Sequence, residues 1–586
     1  MDDRALSLSK SHEHLLASDV PLFDATSADS PSLFSSGVSA PICPFCRSNA
    51  LGKNSAGRPL LCCVSCTPSD PVRPPLPIPL SIHPSVGSSL VSAVRAITYP
   101  LRKGSWNPSP LWRYFLSRAK KVRNKSVSSS SNSDKTKRSL FRSLVFRGQF
   151  SSALSVLDGT SIAENSIDTV HKLELLHPLE EPLNYSSNTS NYWIDSPISS
   201  EEVLLAIHKS RSGKAAGPSG LSFDHLKLCV NHCPEIADDL AVFFNLVMLN
   251  PAKCPDDLKT SRLVALDKPG GGVRPIAIGE CISRLLASIC FGRIKSKAIE
   301  FFRPFQYGIG IVDGTNCACL TTDLFLNDDV DNFVLNVDYK NAFNCVFRSA
   351  IYDQLVEHFP ELVPYFEAFY GSPTDLIFNE FCLKSSRGVK QGDPLGPFLF
   401  CLPLQKVLRV FHSEFPGIMI NSFARFVDLS GQIGLTINLS KCVVIGRVDD
   451  TVLHEGVAIP FINYSSDCIK FLGNFIGNSS QIVSMLEKKI DSLDQKLRNV
   501  LDLNVGKQVS FATLQVCFAG KVNHFLRGLP PELTVDLSRR FNALRTEFLS
   551  ELVESKKLSI HRHSFAAVRF GGIGFPRLVI CVKVPF

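Results

Sequence analysis

The stretch from Leu263 to Ile278 constrains the fold most. A β-prone run, Leu263-Val-Ala-Leu266, is broken by Asp-Lys-Pro-Gly-Gly-Gly and followed by a second, Val273-Arg-Pro-Ile-Ala-Ile278. Proline and three glycines end any helix, and β-branched residues lie on both sides, so the stretch predicts strand, turn, strand. Each limb carries a cation, Lys268 on one and Arg274 on the other. Two cations at a turn can clamp an anionic triphosphate.

Other segments of the 586-residue chain carry similar punctuation. Gly213-Lys-Ala-Ala-Gly-Pro-Ser-Gly220 is a glycine-rich loop after a helix, and it lacks the G-K-[ST] of a P-loop. Phe333-Val-Leu-Asn-Val-Asp338 reads as an apolar strand ending at an acid, after which Tyr-Lys-Asn-Ala-Phe343-Asn344 turns. Arg387-Gly-Val-Lys-Gln391-Gly392-Asp-Pro-Leu-Gly-Pro397 opens into an apolar helix, Phe398–Phe411. Ser199 and Glu202 form a capping box ahead of Val203–Lys209. Ile482, Leu486, Ile490, Leu493, Leu497 and Val500 recur at helical spacing, which predicts an amphipathic helix. Taken singly, each is weak: an Asp at a strand end also serves as an N-cap or turn residue.

In this order and spacing the segments resemble the reverse transcriptases of non-LTR (LINE-type) retrotransposons over roughly residues 140–580. RGQFSSALSVLDG with Leu175–Pro178 resembles the segment that precedes the polymerase. KAAGPSG is similar to a K-A-x-G-x-D-G loop, with Ser219 where Asp is usual. KPGGGVRPIAI resembles the fingers hairpin, LNVDYKNAFN motif A, GVKQGDPLGP motif B, Gly434–Cys442 motif D, and Phe471-Leu472-Gly473 the primer-grip turn. The resemblance implies an α+β right-hand polymerase of fingers, palm and thumb. It implies an RNA template, a DNA primer and dNTP as partners. Asp338 would ligate Mg2+, Lys268 and Arg274 would grip the triphosphate, and Phe343 would act as a steric gate under the sugar. Gln391 and Gly392 would lie near nucleotide and template, and Lys441 would protonate pyrophosphate.

The sequence departs from the family at motif C, a hairpin bearing paired aspartates. It should lie between Gln391 and Gly434, 43 residues apart. The motif B helix takes about 18 of these, Pro416–Ile420 reads as a first strand, and Asn421–Gly434 as the helix into motif D. A turn and a return strand need about a dozen residues more. Asp428 lies in the helical pattern and is expected to face solvent. Asp449-Asp450 comes after motif D, and Asp238-Asp239, Asp256-Asp257 and Asp328-Asp329 read as surface charge. Two-metal chemistry needs carboxylates that hold ions about 3.5–4 Å apart. The expectation is a polymerase-like chain with little or no polymerase activity. Its length leaves no room for either nuclease type of such elements, so a truncated or decayed reading frame is expected.

The N-terminal part is of another kind. Cys43-x2-Cys46-x16-Cys63-x2-Cys66 has zinc-ribbon spacing, and four thiolates complete a structural Zn2+ tetrahedron at about 2.3 Å per bond. About 28 residues are too few to fold without the ion. Between Arg95 and Arg147 stand 14 Lys/Arg against one acid, with Trp106, Trp112, Tyr114, Phe115, Phe141 and Phe146 interleaved. That composition suits phosphate backbone and unpaired bases, a solvated linker or targeting signal being the alternative. Nineteen cysteines without a secretory signal point to a reducing compartment, nucleus or cytoplasm. No apolar run reaches the roughly 18 residues of a membrane span, so no membrane partner is expected.

The expected organisation is a disordered 1–40, a zinc ribbon at 41–68, and a Pro-rich and basic Ser-rich linker at 69–138. A pre-polymerase helical segment at 139–194 follows, then fingers and palm at 195–477, a helical thumb at 478–555 and a truncated end at 556–586. A non-catalytic nucleic-acid-binding protein that uses ribbon, arm and cleft is the rival reading.

Overall fold

The computed structural model describes residues 134–146, 150–158, 163–181, 192–268, 271–329, 332–416, 422–446, 463–465, 468–518 and 520–554. The cysteine cluster, the Pro-rich linker, the basic arm before residue 134, Ile418–Ile420, Asp449-Asp450 and the C-terminal segment 556–586 lie outside the described residues.

The fold is α+β. The glycine-rich stretch is the expected hairpin: β1 (Ser261–Asp267) pairs antiparallel with β2 (Val273–Gly279), from Ser261↔Gly279 to Asp267↔Val273. Alternate residues of β1 are buried, which is the period-2 pattern of a half-buried strand. β3 (Phe333–Asn336) lies in a separate sheet. A second hairpin, β4 (Thr374–Phe378) and β5 (Phe381–Ser385), extends the first sheet, with β4 parallel to β1 through Ser261↔Leu376 and Arg262↔Ile377. The order is β2-β1-β4-β5.

β3 pairs antiparallel with β6 (Val443–Gly446), and β6 pairs parallel with β7 (Asn463–Ser465). The order β3-β6-β7 makes β3 an edge strand, with no second partner among the described residues. A last hairpin, β8 (Cys468–Phe471) and β9 (Asn474–Gly477), turns through Leu472 and Gly473, both at positive φ.

The largest core joins helices 200–209, 223–232, 236–249, 281–302, 348–358, 363–370 and 396–414. The capping box at Ser199 forms, and Arg293 clamps Glu202 at 2.6 Å across helices. The motif B helix runs Gly396–Glu414 and buries Phe398, Leu399, Leu402 and Phe411. In the second core the six periodic residues of Ser479–Asp502 are all buried against helix Pro531–Leu552.

The expected pre-polymerase segment divides between two cores. Its helices Asp134–Phe146 and Phe150–Asp158 put Phe141 and Ala153 into the C-terminal bundle, and Arg138 Nε donates to Leu503 O at 2.7 Å. Its later part puts Ala163, Val170 and Leu173 against the first sheet. None of the described helices is long and apolar enough to cross a membrane.

Candidate active site

Asp338 stands two residues past β3, where the ladder with β6 gives way. Pairing ends at Asn336↔Val443, the facing chain makes a short 3-10 turn, Leu439–Lys441, and bridging resumes at Tyr339↔Ile437. Asn438 N donates to Asp338 O at 2.7 Å and Lys340 N to Thr436 O at 2.8 Å. The turn brings Lys441 Nζ to 3.3 Å from Asp338 Oδ2, and Asn438 Nδ2 lies 3.4 Å from the same oxygen. The Asp338 side chain is 44% exposed.

The hairpin cation Lys268 is coupled electrostatically to this carboxylate. Burial lowers the Lys268 pKa, and Arg274 and Lys441 lower it further by repulsion, while Asp338 raises it. Four residues that the sequence singled out, distant along the chain, therefore share one electrostatic neighbourhood.

Motif B docks on both elements. Ala277 N of β2 donates to Gln391 O at 2.9 Å. Gly392 has φ 139°, and a Cβ there would stand 2.2 Å from Ala277 O, so only glycine fits. Gly392 thus approaches the β1–β2 hairpin closely. Gly388 (φ 67°) lies against Phe343 O, and Val389 N donates to that oxygen at 2.7 Å. Phe343 stacks on Phe400 with ring centroids 5.1 Å apart.

Beneath the turn is a polar network that the sequence did not reveal. Asp393 accepts from Tyr370 Oη at 2.5 Å, from Tyr365 Oη and from Leu395 N. Lys390 is buried, its Nζ donates to Lys259 O at 2.6 Å, and burial pulls its pKa down to about 7. Arg348 donates to the carbonyls of Gly388, Tyr370 and Ser385.

Glu280 was also missed. It is 1% exposed, at the junction of β2 and helix Cys281–Phe302, and accepts from Ser219 N at 2.7 Å and Ser219 Oγ at 2.6 Å. Burial pushes its pKa up to about 7, against the pull of those donors. The contact explains why serine suits position 219. An aspartate would set a second carboxylate against Glu280, whereas the serine hydroxyl adds a donor to that of the backbone N–H. The unusual Ser219 was the sequence signal, but its partner is 61 residues away.

Asp428 bonds Arg425 at 2.6 Å and Gln432 at 3.1 Å on its own helix. No group of three or more His, Cys, Asp or Glu able to hold a metal occurs among the described residues. Among the described residues the donor set at Asp338 is one carboxylate, with an ammonium and an amide already on it, and a pair of magnesium ions does not fit that set.

Residues 266–428 match the family model described as reverse transcriptase (RNA-dependent DNA polymerase). Over a longer span the chain is 22% identical to the retrotransposable element SLACS 132 kDa protein of Trypanosoma brucei gambiense, across 55% of this chain and 28% of that one. It is 29% identical to a retrovirus-related Pol polyprotein from the type-2 retrotransposable element R2DM of Drosophila melanogaster, across 42% of this chain and 26% of that one. The chain thus spans under a third of either relative. An apo telomerase structure from Candida tropicalis aligns with 50% of this chain and 62% of that one, at 11% identity and a TM-score of 0.27, too low to carry an argument. The class is therefore that of a reverse transcriptase-like protein. Within it, the relatives that the chain resembles are retrotransposable-element proteins.

Proposed function

We propose that this chain has a right-hand polymerase architecture and binds an RNA template, while polymerising DNA weakly or not at all. The observation that carries the reading is that Asp338, whose oxygen meets Lys441 at 3.3 Å, has no second carboxylate beside it to complete a metal site among the described residues. Incorporation of dNTP on a primer uses carboxylates that hold two metal ions in line with the leaving pyrophosphate, and one acid cannot bridge such a pair. Lys268, Arg274 and Lys441 are the phosphate-facing groups of the cleft. Phe343 would stand under the sugar, and Gln391 and Gly392 near nucleotide and template.

The rival, a nucleic-acid-binding protein without catalysis, shares most of this account. The Lys441 ammonium 3.3 Å from Asp338 favours it, since a cation already stands where a metal ion would be held. Zinc on Cys43, Cys46, Cys63 and Cys66, a basic arm that adds salt-dependent affinity, and residence in nucleus or cytoplasm complete the proposal.

Titration of fluorescent RNA at two salt concentrations tests it. Binding that weakens with salt and is unchanged in Asp338→Ala is expected. Absence of RNA binding by the full chain would refute the reading.

A further inference from the structure

We infer that Lys390 is a carbamylation site, at which carbon dioxide adds to the buried side-chain nitrogen inside a cavity shared with Arg284. The inference is independent of the reverse-transcriptase reading. It rests on a space beneath motif B and not on the cleft around Asp338.

The cavity lies where several elements meet. Lys259 and Ser261 wall it just before and at the start of β1, and Gly279 and Ser283 at the junction of β2 and helix Cys281–Phe302. Tyr365 and Tyr370 line it from helix Val363–Tyr370. It is partly open to solvent, and its inner space is that of about one or two water molecules. A triatomic gas fits such a space; a nucleotide does not.

Lys390 has the donors of an ammonium but little to accept them. It is 8% exposed, and its Nζ donates to Lys259 O at 2.6 Å. Asp393, which lines the same cavity, already accepts from Tyr365 Oη, Tyr370 Oη and Leu395 N, so its carboxylate does not call for an ammonium at Lys390. The Tyr370 ring has Lys390 Nζ 5.8 Å and the Arg348 guanidinium 5.3 Å from its centroid, so two cations flank one aromatic side chain. A charged amine is costly in that place. Burial lowers the Lys390 pKa to about 7, Arg348 and Lys259 add repulsion, and Asp393 and the Cys254 thiol oppose them. Near neutral pH the nitrogen therefore offers a free lone pair.

Arg284 supplies what the product needs. Its Nη2 donates to Ala215 O at 2.9 Å in the glycine-rich loop, while its Nε is buried with no hydrogen-bond partner among the described residues. A buried donor left unpaired is costly, and a carbamate oxygen would accept from it. Arg284 would then join the glycine-rich loop to motif B. In the step itself the Nζ lone pair attacks the carbon and an N–C bond forms. One C=O π pair moves onto oxygen as the carboxylate charge, and a proton leaves nitrogen for solvent. No electron transfer is needed.

Gly279 gives a handle that leaves Lys390 in place. A Cβ there would stand 3.5 Å from Ser283 Oγ, 3.7 Å from Ser261 Oγ and 4.0 Å from Arg284 Cγ, all ordinary contacts. Gly279→Ala therefore narrows the cavity without a clash.

The test is carbon NMR of the full chain in isotopically labelled bicarbonate with its dissolved carbon dioxide. Trapping with triethyloxonium and peptide mass spectrometry follow. Expected are a carbamate resonance near neutral pH that disappears at about pH 5 and returns on neutralisation, and an ethyl carbamate on the peptide that holds Lys390. Lys390→Arg should lack both, and Gly279→Ala should weaken the resonance about tenfold. Near-ultraviolet circular dichroism checks that the variants keep the fold; should Lys390→Arg lose it, the trapped peptide and Gly279→Ala decide. No resonance in wild type, a resonance undiminished in either variant, or trapping confined to other amines overturns the inference. RNA binding is read separately, so failure here leaves the functional reading standing.

Discussion

Glu280 offers a quantitative test of how the glycine-rich loop is held to the start of helix Cys281–Phe302. The perturbation is Glu280→Gln, which keeps size and one acceptor but cannot ionise. Burial raises the Glu280 pKa from 4.5 to about 7. A displacement of that size is worth on the order of 3 kcal/mol between the protonated and ionised forms. Because the folded pKa is the higher one, folding takes up a proton between pH 4.5 and pH 7. The contribution to stability is complete below pH 4.5 and lost as pH rises through 7. In the glutamine variant this dependence vanishes. The unfolding free energy of wild type minus variant should therefore fall by about 3 kcal/mol between pH 4.5 and pH 8. Lys390, also near 7, titrates in both proteins and cancels from the difference. Urea unfolding read by fluorescence is suitable, since Trp193 is buried in the same core as helix Cys281–Phe302. A difference constant to within about 0.5 kcal/mol across that range would refute an ionisable group buried against Ser219.

Three further outcomes are expected. Gly392→Ala should destabilise by about 3–5 kcal/mol, combining a forbidden backbone conformation with a clash against Ala277 O; a loss under about 1 kcal/mol in chemical unfolding would contradict the docking of motif B on β2. Leu493→Ala, in the fully buried stripe of helix Ser479–Asp502, should cost about 2–5 kcal/mol, whereas the exposed Lys488→Ala should stay within about 0.5 kcal/mol. Chelator and thiol-reagent titration of the full chain should release one zinc ion as four cysteines react, and Cys46→Ser should abolish that release.

Local features were legible in the sequence because their causes are local. The hairpin at Leu263–Ile278 is written in proline, glycine and β-branched residues. The capping box needs two residues three apart, and the stripe from Ile482 to Val500 needs only the helical repeat. The β4–β5 hairpin was not singled out, since its turn at Asn379 and Glu380 has no glycine and only the structure shows Asn379 at φ 52°. Nor was the packing of Phe141 and Ala153 onto the C-terminal bundle, because burial between segments some 350 residues apart leaves no periodic trace. At the site, the motifs named Asp338, Lys268, Arg274, Lys441, Gln391 and Gly392. They could not show that Lys441 would pair with Asp338, which depends on the turn at Leu439–Lys441. Glu280, Lys390 and the tyrosines on Asp393 matter through burial, a property of the folded chain.

Primer extension tests the central claim most directly. The full chain, RNA template, annealed DNA primer and labelled dNTP are incubated with Mg2+ and, separately, Mn2+, beside Asp338→Ala. The account predicts incorporation no greater than that of Asp338→Ala with either metal. Template-dependent extension that Asp338→Ala eliminates would contradict it, because a second acid would then have to reach the ions that Asp338 holds.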